Sequence, residues 1–142
     1  MLNIRAADEY DYVEVYPLLQ SLWKDKNFDR EILFSVFKNV LVAPNDFCFV
    51  AETNGKIVGF IAGVINNNFY HVGMLCYIST LVVDEGTRGS GIGTKLLNHV
   101  TLYADSRNCN AIELDANFHR ESSHAYYEHY GFIKRGYAFT LS

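Results

Sequence analysis

Proline is nearly missing from this chain, with two in 142 residues, and cysteine is sparse, with three. No low-complexity tract, repeat or linker is present, so a fibrous or tethered architecture is excluded. Cys48, Cys76 and Cys109 are odd in number, widely spaced and form no Cys-x-x-Cys, which excludes a disulfide scaffold. Reduced, buried thiols in a cytoplasmic protein are expected, and no signal-peptide pattern opens the chain. Positive charge is also short: 12 Lys and Arg against 16 Asp and Glu give a net charge of −4. Without a basic stripe to neutralise phosphates, a nucleic-acid partner is excluded. No apolar run approaches the roughly 20 residues of a membrane span, so no membrane partner is expected. His71, His99, His119, His124 and His129 lack the i, i+4 pairing or cysteine partners of a zinc site, so no metal is expected.

What is plentiful is apolar and aromatic material, including ten Tyr and ten Phe, enough for one core. The length suits a single domain spanning 1–142. Leu2 and Ile4 mark a first strand. Asp8 or Asp11 caps a helix bearing Val15, Leu18, Leu19 and Leu22, with Pro17 near its start. A second helix from Asp29 is expected to bury Ile32, Leu33, Val36, Phe37, Val40 and Leu41 before Pro44 closes it. Phe47–Thr53 and Lys56–Ile65 flank Asn54-Gly55, a strong two-residue hairpin turn. Gly59 and Gly63 inside the return strand imply bends or a close neighbour. Asn66–Asn68 reads as a turn, and a strand from about Tyr70 runs to Val83. After a long helix, Ala111–Asp115 is a short strand. Ser122 or Ser123 caps a helix through Tyr130, and Phe132 begins a final strand pair centred on Gly136.

The most informative stretch is 77–103. Ile78, Leu81, Val82 and Val83 form a strand, Asp84–Arg88 break it, and Gly89-Ser90-Gly91-Ile92-Gly93 opens a helix. Ile92, Leu96, Leu97, Val100, Tyr103 and Ala104 then mark one buried face. A helix N-terminus has unpartnered N–H groups and partial positive charge, so it gathers an anion, and glycines let a phosphate approach the backbone. Thr94 adds a hydroxyl, and Arg88 and Lys95 add charge. A Walker loop fails because Ile92-Gly93 stand where Lys-Ser/Thr is needed. A dinucleotide fingerprint fails because Thr94 stands at the third glycine. What fits is Gln/Arg-x-x-Gly-x-Gly/Ala, met by Arg88, Gly91 and Gly93. It resembles the acetyl-coenzyme A loop of the GCN5-related N-acetyltransferases.

A second signature extends that resemblance: Asn117, Ala125, Tyr126, Tyr127, Glu128 and Gly131-Phe132 are similar to the family's Asn, Ala, then apolar-Tyr-Glu-x-x-Gly-Phe. The resemblance implies an α/β acyl-CoA N-acyltransferase fold, with a mixed central sheet in the order β-α-α-β-β-β-α-β-α-β-β. It implies acetyl transfer from acetyl-CoA, as co-substrate, to a primary amine, with the cofactor wedged where two strands splay. Leu81, Val82 and Val83 would offer backbone groups to the pantetheine arm, and an N–H near Leu81 or Val82 would polarise the thioester carbonyl. Arg88, Gly89, Ser90, Gly91, Ile92, Gly93 and Thr94 would hold the phosphates, and Asn117 a pantetheine amide. Tyr127 would be the general acid, with Tyr126 and Tyr130 as packing residues.

Ser79 and Thr80 stand where many relatives carry a carboxylate, which leaves the base open among Glu113, Asp115, His71, Tyr77, His119 and a water chain. Trp23–Asp29 and Asn66–Gly73 are expected to line the acceptor side. A small-molecule amine is favoured over a protein lysine or N-terminus, direct attack over a covalent enzyme intermediate, and a homodimer is admissible. The alternative is a catalytically silent acyl-CoA sensor.

Overall fold

The computed structural model of the chain describes residues 1–116 and 121–142, the side chains of Glu121 and Ser122 excepted. Strand β1 (Leu2–Ala6) leads through a 3-10 turn at Glu9–Asp11 to α1 (Tyr12–Leu22) and α2 (Arg30–Val42). Strands β2 (Asp46–Thr53), β3 (Lys56–Asn68) and β4 (Gly73–Val83) follow, then α3 (Ile92–Ser106), β5 (Cys109–Leu114) and α4 (Glu121–Tyr130). The five strands form one sheet in sequence order, antiparallel from β1 to β4 and parallel between β4 and β5. A parallel pair needs a crossover, which α3 supplies.

Burial divides the molecule into layers. On one face Ile92, Leu96, Leu97, Val100 and Ala104 of α3 pack on Ala51, Ile61, Ile65, Cys76 and Ile78, with Tyr127 and Tyr130 of α4 beside them. On the other, Tyr12, Val15, Leu18 and Leu19 of α1 and Phe37 of α2 pack on Val50, Ile57, Phe60 and Val82. Each fully buried Leu or Val stabilises the fold by about 1.5–3 kcal/mol, so the α3 stripe alone fixes the helix that ends the glycine loop. The turn before α1 is held by charge: Arg5 donates two hydrogen bonds to Asp11, at 2.8 and 2.9 Å, and two to Glu52, at 3.1 and 3.3 Å.

One irregularity positions the site. Between β3 and β4 the register slips at Ala62/Gly63, so that Ser79 is left without an opposite residue. A β-bulge of this kind bends its strand. Gly63 is required there, because a Cβ would lie 2.0 Å from the carbonyl oxygen of Tyr77. Past the bulge β4 turns away from β5: their pairing runs only from Met74/Cys109 to Ile78/Leu114, and Ser79–Val83 have a strand on the β3 side alone.

Several sequence expectations are corrected. Residues 132–142 form no strand, so the expected final pair is missing from the observed order. Gly131, at φ 128°, ends α4 with its N–H and that of Phe132 both donating to the Tyr127 carbonyl, and the chain leaves without pairing with a strand, touching β5 through Arg135 and Glu113. Asn66–Asn68 belong to β3, because pairing with β4 continues to Asn68/Gly73, and the turn falls at 69–72. Ile32 and Val36 are exposed, since only one side of α2 meets the sheet. Pro17 lies mid-helix rather than near the start of α1. The carbonyl it leaves without a donor is that of Val13, a residue on the exposed side where water can serve. Ser122 and Ser123 lie inside α4, which begins at Glu121, rather than at the position before its first residue.

Candidate functional site

The glycine loop begins where β4 ends. A 3-10 turn at Glu85–Thr87 carries the chain to Arg88, and Gly89 (φ 89°) and Gly91 (φ 80°) take left-handed conformations that a side chain resists. Arg88, Gly89, Ser90 and Gly91 are exposed, while Ile92 is buried. Gly91 is the N-cap of α3, and no side chain caps it. The first-turn N–H groups, which have no intrahelical acceptors, are therefore presented at the surface beside the Arg88 and Lys95 side chains. Such a cradle of amides can gather an anion. Ser90 Oγ donates to the Thr87 carbonyl at 2.5 Å and holds the loop rather than a ligand. Thr94 Oγ1 shares a 2.5 Å hydrogen bond with the Tyr126 hydroxyl, which places a tyrosine of α4 over the cradle.

From the cradle, the open side of β4 runs into a cleft. Asp84 N–H donates to the Val58 carbonyl at 2.8 Å, on the β3 side. Backbone direction alternates along a strand, so Val82 also faces β3, whereas Leu81 and Val83 direct N–H and C=O to the open side. Val82 packs its side chain in the α1/α2 core, and Leu81 and Val83 lean on the α3 core. What these residues can offer a ligand is thus backbone. An extended, amide-bearing molecule placed along Leu81–Val83 would restore the hydrogen bonds that β5 does not make.

The cleft is lined by Trp23, Ser79, Thr80, Leu81, Asp115 and Tyr127, with Leu22, Ile78, Leu114, Ala116 and Ser123 completing it. It lies at the carboxyl ends of two parallel strands, the usual place for a ligand in an α/β sheet. Tyr127 is half-buried, with its ring at 5.9 Å from that of Phe132 and 5.6 Å from that of Tyr126, both edge-on.

The base candidates separate by position. Tyr77 donates to Asp115 Oδ2 at 2.6 Å, and burial together with the Asp115 carboxylate pushes its phenol up to about 12, so it stays neutral at pH 7. His71 Nε2 lies 2.5 Å from Glu113 Oε2, and Arg135 lies 3.7 Å from the same oxygen. Of these residues only Asp115 lines the cleft. None of Asn66–Gly73 does, contrary to expectation, because that turn sits at the far end of β4. Asn117 and His119 lie outside the described residues. Sequence reasoning misses Leu22, Ser123 and Ala116 in the lining: Leu22 carries a core signal, Ser123 a cap signal, and nothing local marks Ala116. Among the described residues no group of His, Cys, Asp and Glu could hold a metal ion. No described helix is long and apolar enough to cross a membrane.

Comparison with known proteins places this geometry. The sequence model of the Acetyltransferase (GNAT) family matches residues 10–132, and the chain belongs to that family. It is an acetyl-CoA-dependent acetyltransferase with acetyl-CoA as co-substrate. It is similar to an aminoalkylphosphonate N-acetyltransferase of Salmonella typhimurium, 29% identical over 97% of this chain and 89% of that one. An uncharacterized N-acetyltransferase of Methanocaldococcus jannaschii is 35% identical over 94% of this chain, which spans 60% of that longer protein. A predicted acetyltransferase from Clostridium acetobutylicum, solved with acetyl-CoA, superposes with a TM-score of 0.83 at 25% identity, covering 100% of this chain and 96% of that one.

Proposed function

We propose that this enzyme moves the acetyl group of acetyl-CoA to the primary amine of a small molecule by direct attack. The observation that carries the reading is the split of β4 from β5 after Ile78, which opens a cleft between the glycine cradle and the pair Asp115 and Tyr127. In this reading the pyrophosphate sits on the first-turn amides of α3, flanked by Arg88. Leu81 and Val83 pair with the pantetheine arm, and the Leu81 N–H faces the carbonyl oxygen where negative charge develops. Asn117 binds a pantetheine amide by family resemblance.

A C–N bond forms as the C–S bond breaks; the nitrogen gives up two protons between ammonium and amide, one to Asp115 and one that, by way of solvent, replaces the proton Tyr127 gives to sulfur. An alkylammonium has a pKa near ~10, so holding it neutral at pH 7 costs about 4 kcal/mol. Asp115, fixed by the Tyr77 hydroxyl, pairs with the ammonium and takes its proton. Tyr127 gives a proton to the departing thiolate. The cleft is small and walled by Trp23 and Leu22, which suits a compact amine better than a protein segment. The named activity of the Salmonella relative, toward an aminoalkylphosphonate, supports a small amine.

A single domain in the cytoplasm is part of the same reading. One continuous sheet supports the first. Cys48, Cys76 and Cys109 as free thiols support the second, because reducing compartments keep thiols unpaired.

Thiol release measured over a panel of aminoalkylphosphonates, polyamines and amino sugars tests the reading. Direct attack gives intersecting initial-velocity lines, and a covalent enzyme intermediate gives parallel ones. Asp115→Asn is expected to lower kcat/KM by about 10²–10⁴ with coenzyme A affinity kept. Binding of coenzyme A without turnover of any amine would favour a sensor instead.

A further inference from the structure

Helix α4 carries Tyr127 into the cleft, and little apolar burial holds it there. Among its described side chains none is fully buried, and Tyr127 and Tyr130 are half-buried against the α3 core. Its setting on α3 therefore leans on polar ties. Two of these come from tyrosines one helical turn apart, and their partners on α3 are one turn apart as well. Tyr126 shares a 2.5 Å hydrogen bond with Thr94 Oγ1, and Tyr130 donates to Asn98 Oδ1 at 2.6 Å. Residues four apart share a helix face, so the two bonds are rungs of a ladder joining α4 to α3.

The rungs are not equivalent. Tyr130 joins the helices one turn beyond the glycine loop, whereas Tyr126 meets the first turn itself. A Cβ on Gly93 would lie 3.8 Å from the Tyr126 hydroxyl, so that oxygen stands over the second residue of α3, beside the amides that have no intrahelical acceptor. Two hydroxyls hold two hydrogens. Whichever of Thr94 and Tyr126 donates to the other, one hydrogen is left for an oxyanion at those amides. The Tyr126 ring stands edge-on to that of Tyr127, with 5.6 Å between centres. One residue thus meets the cradle with its hydroxyl and the cleft tyrosine with its ring. The family pattern asks only for an apolar residue where Tyr126 stands, and an apolar side chain would keep the packing without the bond to Thr94.

We propose that Tyr126 is a positioning residue: acting through Thr94, it makes the placement of Tyr127 in the cleft depend on a phosphate at the start of α3. This rests on the reading above, in which the pyrophosphate of acetyl-CoA sits at those amides and Tyr127 gives a proton to sulfur. A phosphate oxygen that accepts the free hydrogen polarises and strengthens the shared bond, which draws the Tyr126 end of α4 onto α3. The Tyr127 ring, braced by its neighbour, is then set at the departing sulfur. A thioester without the nucleotide tail gains no such placement. The enzyme therefore separates acetyl-CoA from simpler thioesters in kcat as well as in affinity.

Turnover of acetyl-CoA against S-acetylpantetheine, which carries the same thioester without the pyrophosphate, tests the coupling. Tyr126→Phe keeps the ring and deletes the hydroxyl. It is expected to lower the ratio of kcat for acetyl-CoA to kcat for S-acetylpantetheine by about threefold to tenfold, the worth of one hydrogen bond. Coenzyme A affinity should hold, because the Thr94 hydroxyl is then free to meet the phosphate itself. Thr94→Val cuts the same bond from the other side and should lower the same ratio, and the double variant should lose no more than Thr94→Val alone. Tyr130→Phe should leave the ratio unchanged, since its rung does not touch the first turn. An unchanged ratio in Tyr126→Phe, an equal fall for both donors, or additive losses in the double variant would overturn the proposal. Tyr127→Phe, measured beside them, separates the two levels. If it lowers kcat while Tyr126→Phe leaves the ratio alone, the coupling fails and the acid assignment stands. If Tyr127→Phe itself leaves kcat unchanged, that assignment fails and the coupling with it.

Discussion

Gly91→Asp puts a carboxylate at the N-cap of α3, where the account places a pyrophosphate. The substitution is informative because the folded chain has room for it: a Cβ on Gly91 meets nothing within 4 Å. The backbone there has φ 80°, and Asp and Asn are the residues other than glycine that best tolerate that region. Conformational cost should therefore be near 1 kcal/mol, and similar for Asp and Asn. The electrostatic cost belongs to Asp alone. A carboxylate about 5 Å from a phosphate charge opposes it by about 1–3 kcal/mol for effective dielectric constants from 80 down to 20. Coenzyme A affinity should fall by roughly fivefold to a hundredfold relative to Gly91→Asn, as measured by calorimetry at low salt. Raising the ionic strength to about 1 M should shrink that gap, because the Debye length drops to about 3 Å. Pantetheine, which has no pyrophosphate, should bind both variants alike. Equal coenzyme A affinity for the Asp and Asn variants at low salt would refute the reasoning, since the cradle would then not be where the charge sits.

Tyr127→Phe should lower kcat by about tenfold to a thousandfold with unchanged coenzyme A affinity, because a thiolate is a good leaving group and needs only modest help. A kcat within twofold of wild type removes it from the reaction. Gly63→Ala should destabilise the fold by about 3 kcal/mol in urea unfolding, since the new methyl meets the Tyr77 carbonyl at 2.0 Å and Phe47 at 2.7 Å. Cleft function should fail with it, as the bulge at Ser79 is lost. Asp11→Asn breaks a hydrogen-bonded pair with Arg5, whose side chain is 32% exposed, so about 2 kcal/mol is expected after allowing for solvent screening. The hydrogen bonds from Arg5 hold the Asp11 carboxyl below the usual carboxylate range. Its contribution is thus fully present above the unfolded value near ~3.9 and lost as pH falls through the lower folded value, so wild type and variant should converge in strong acid. A difference independent of pH would mean the pair contributes nothing through its charge.

Much of the fold could be read locally. The repeat from Ile92 to Ala104 describes the buried face of α3 except at Tyr103, which is half-buried, and Asn54-Gly55 with φ 53° and 75° makes the expected hairpin turn. The glycine loop was legible for the same reason, as its cradle is built by neighbours in sequence. What escaped depends on distant partners. The bulge at Ser79 sets Gly63 against the Tyr77 carbonyl of the adjacent strand, an approach no local pattern announces. Tyr126 reads as a packing residue until α4 is set against Thr94. Asp115 and Glu113 look alike in sequence, and only the end of pairing at Leu114 puts one in the cleft and leaves the other with His71. The final strand pair expected from Phe132 does not form, because a strand needs an edge to pair with and residues 132–142 meet none.

The central claim is that coenzyme A lies along the open side of β4 with its phosphates on the start of α3. Titrating ¹⁵N-labelled enzyme with coenzyme A and following backbone amides tests it residue by residue. The account predicts the largest shifts at Leu81 and Val83 and from Gly89 to Thr94. Saturable shifts elsewhere, with those amides unmoved, would contradict it.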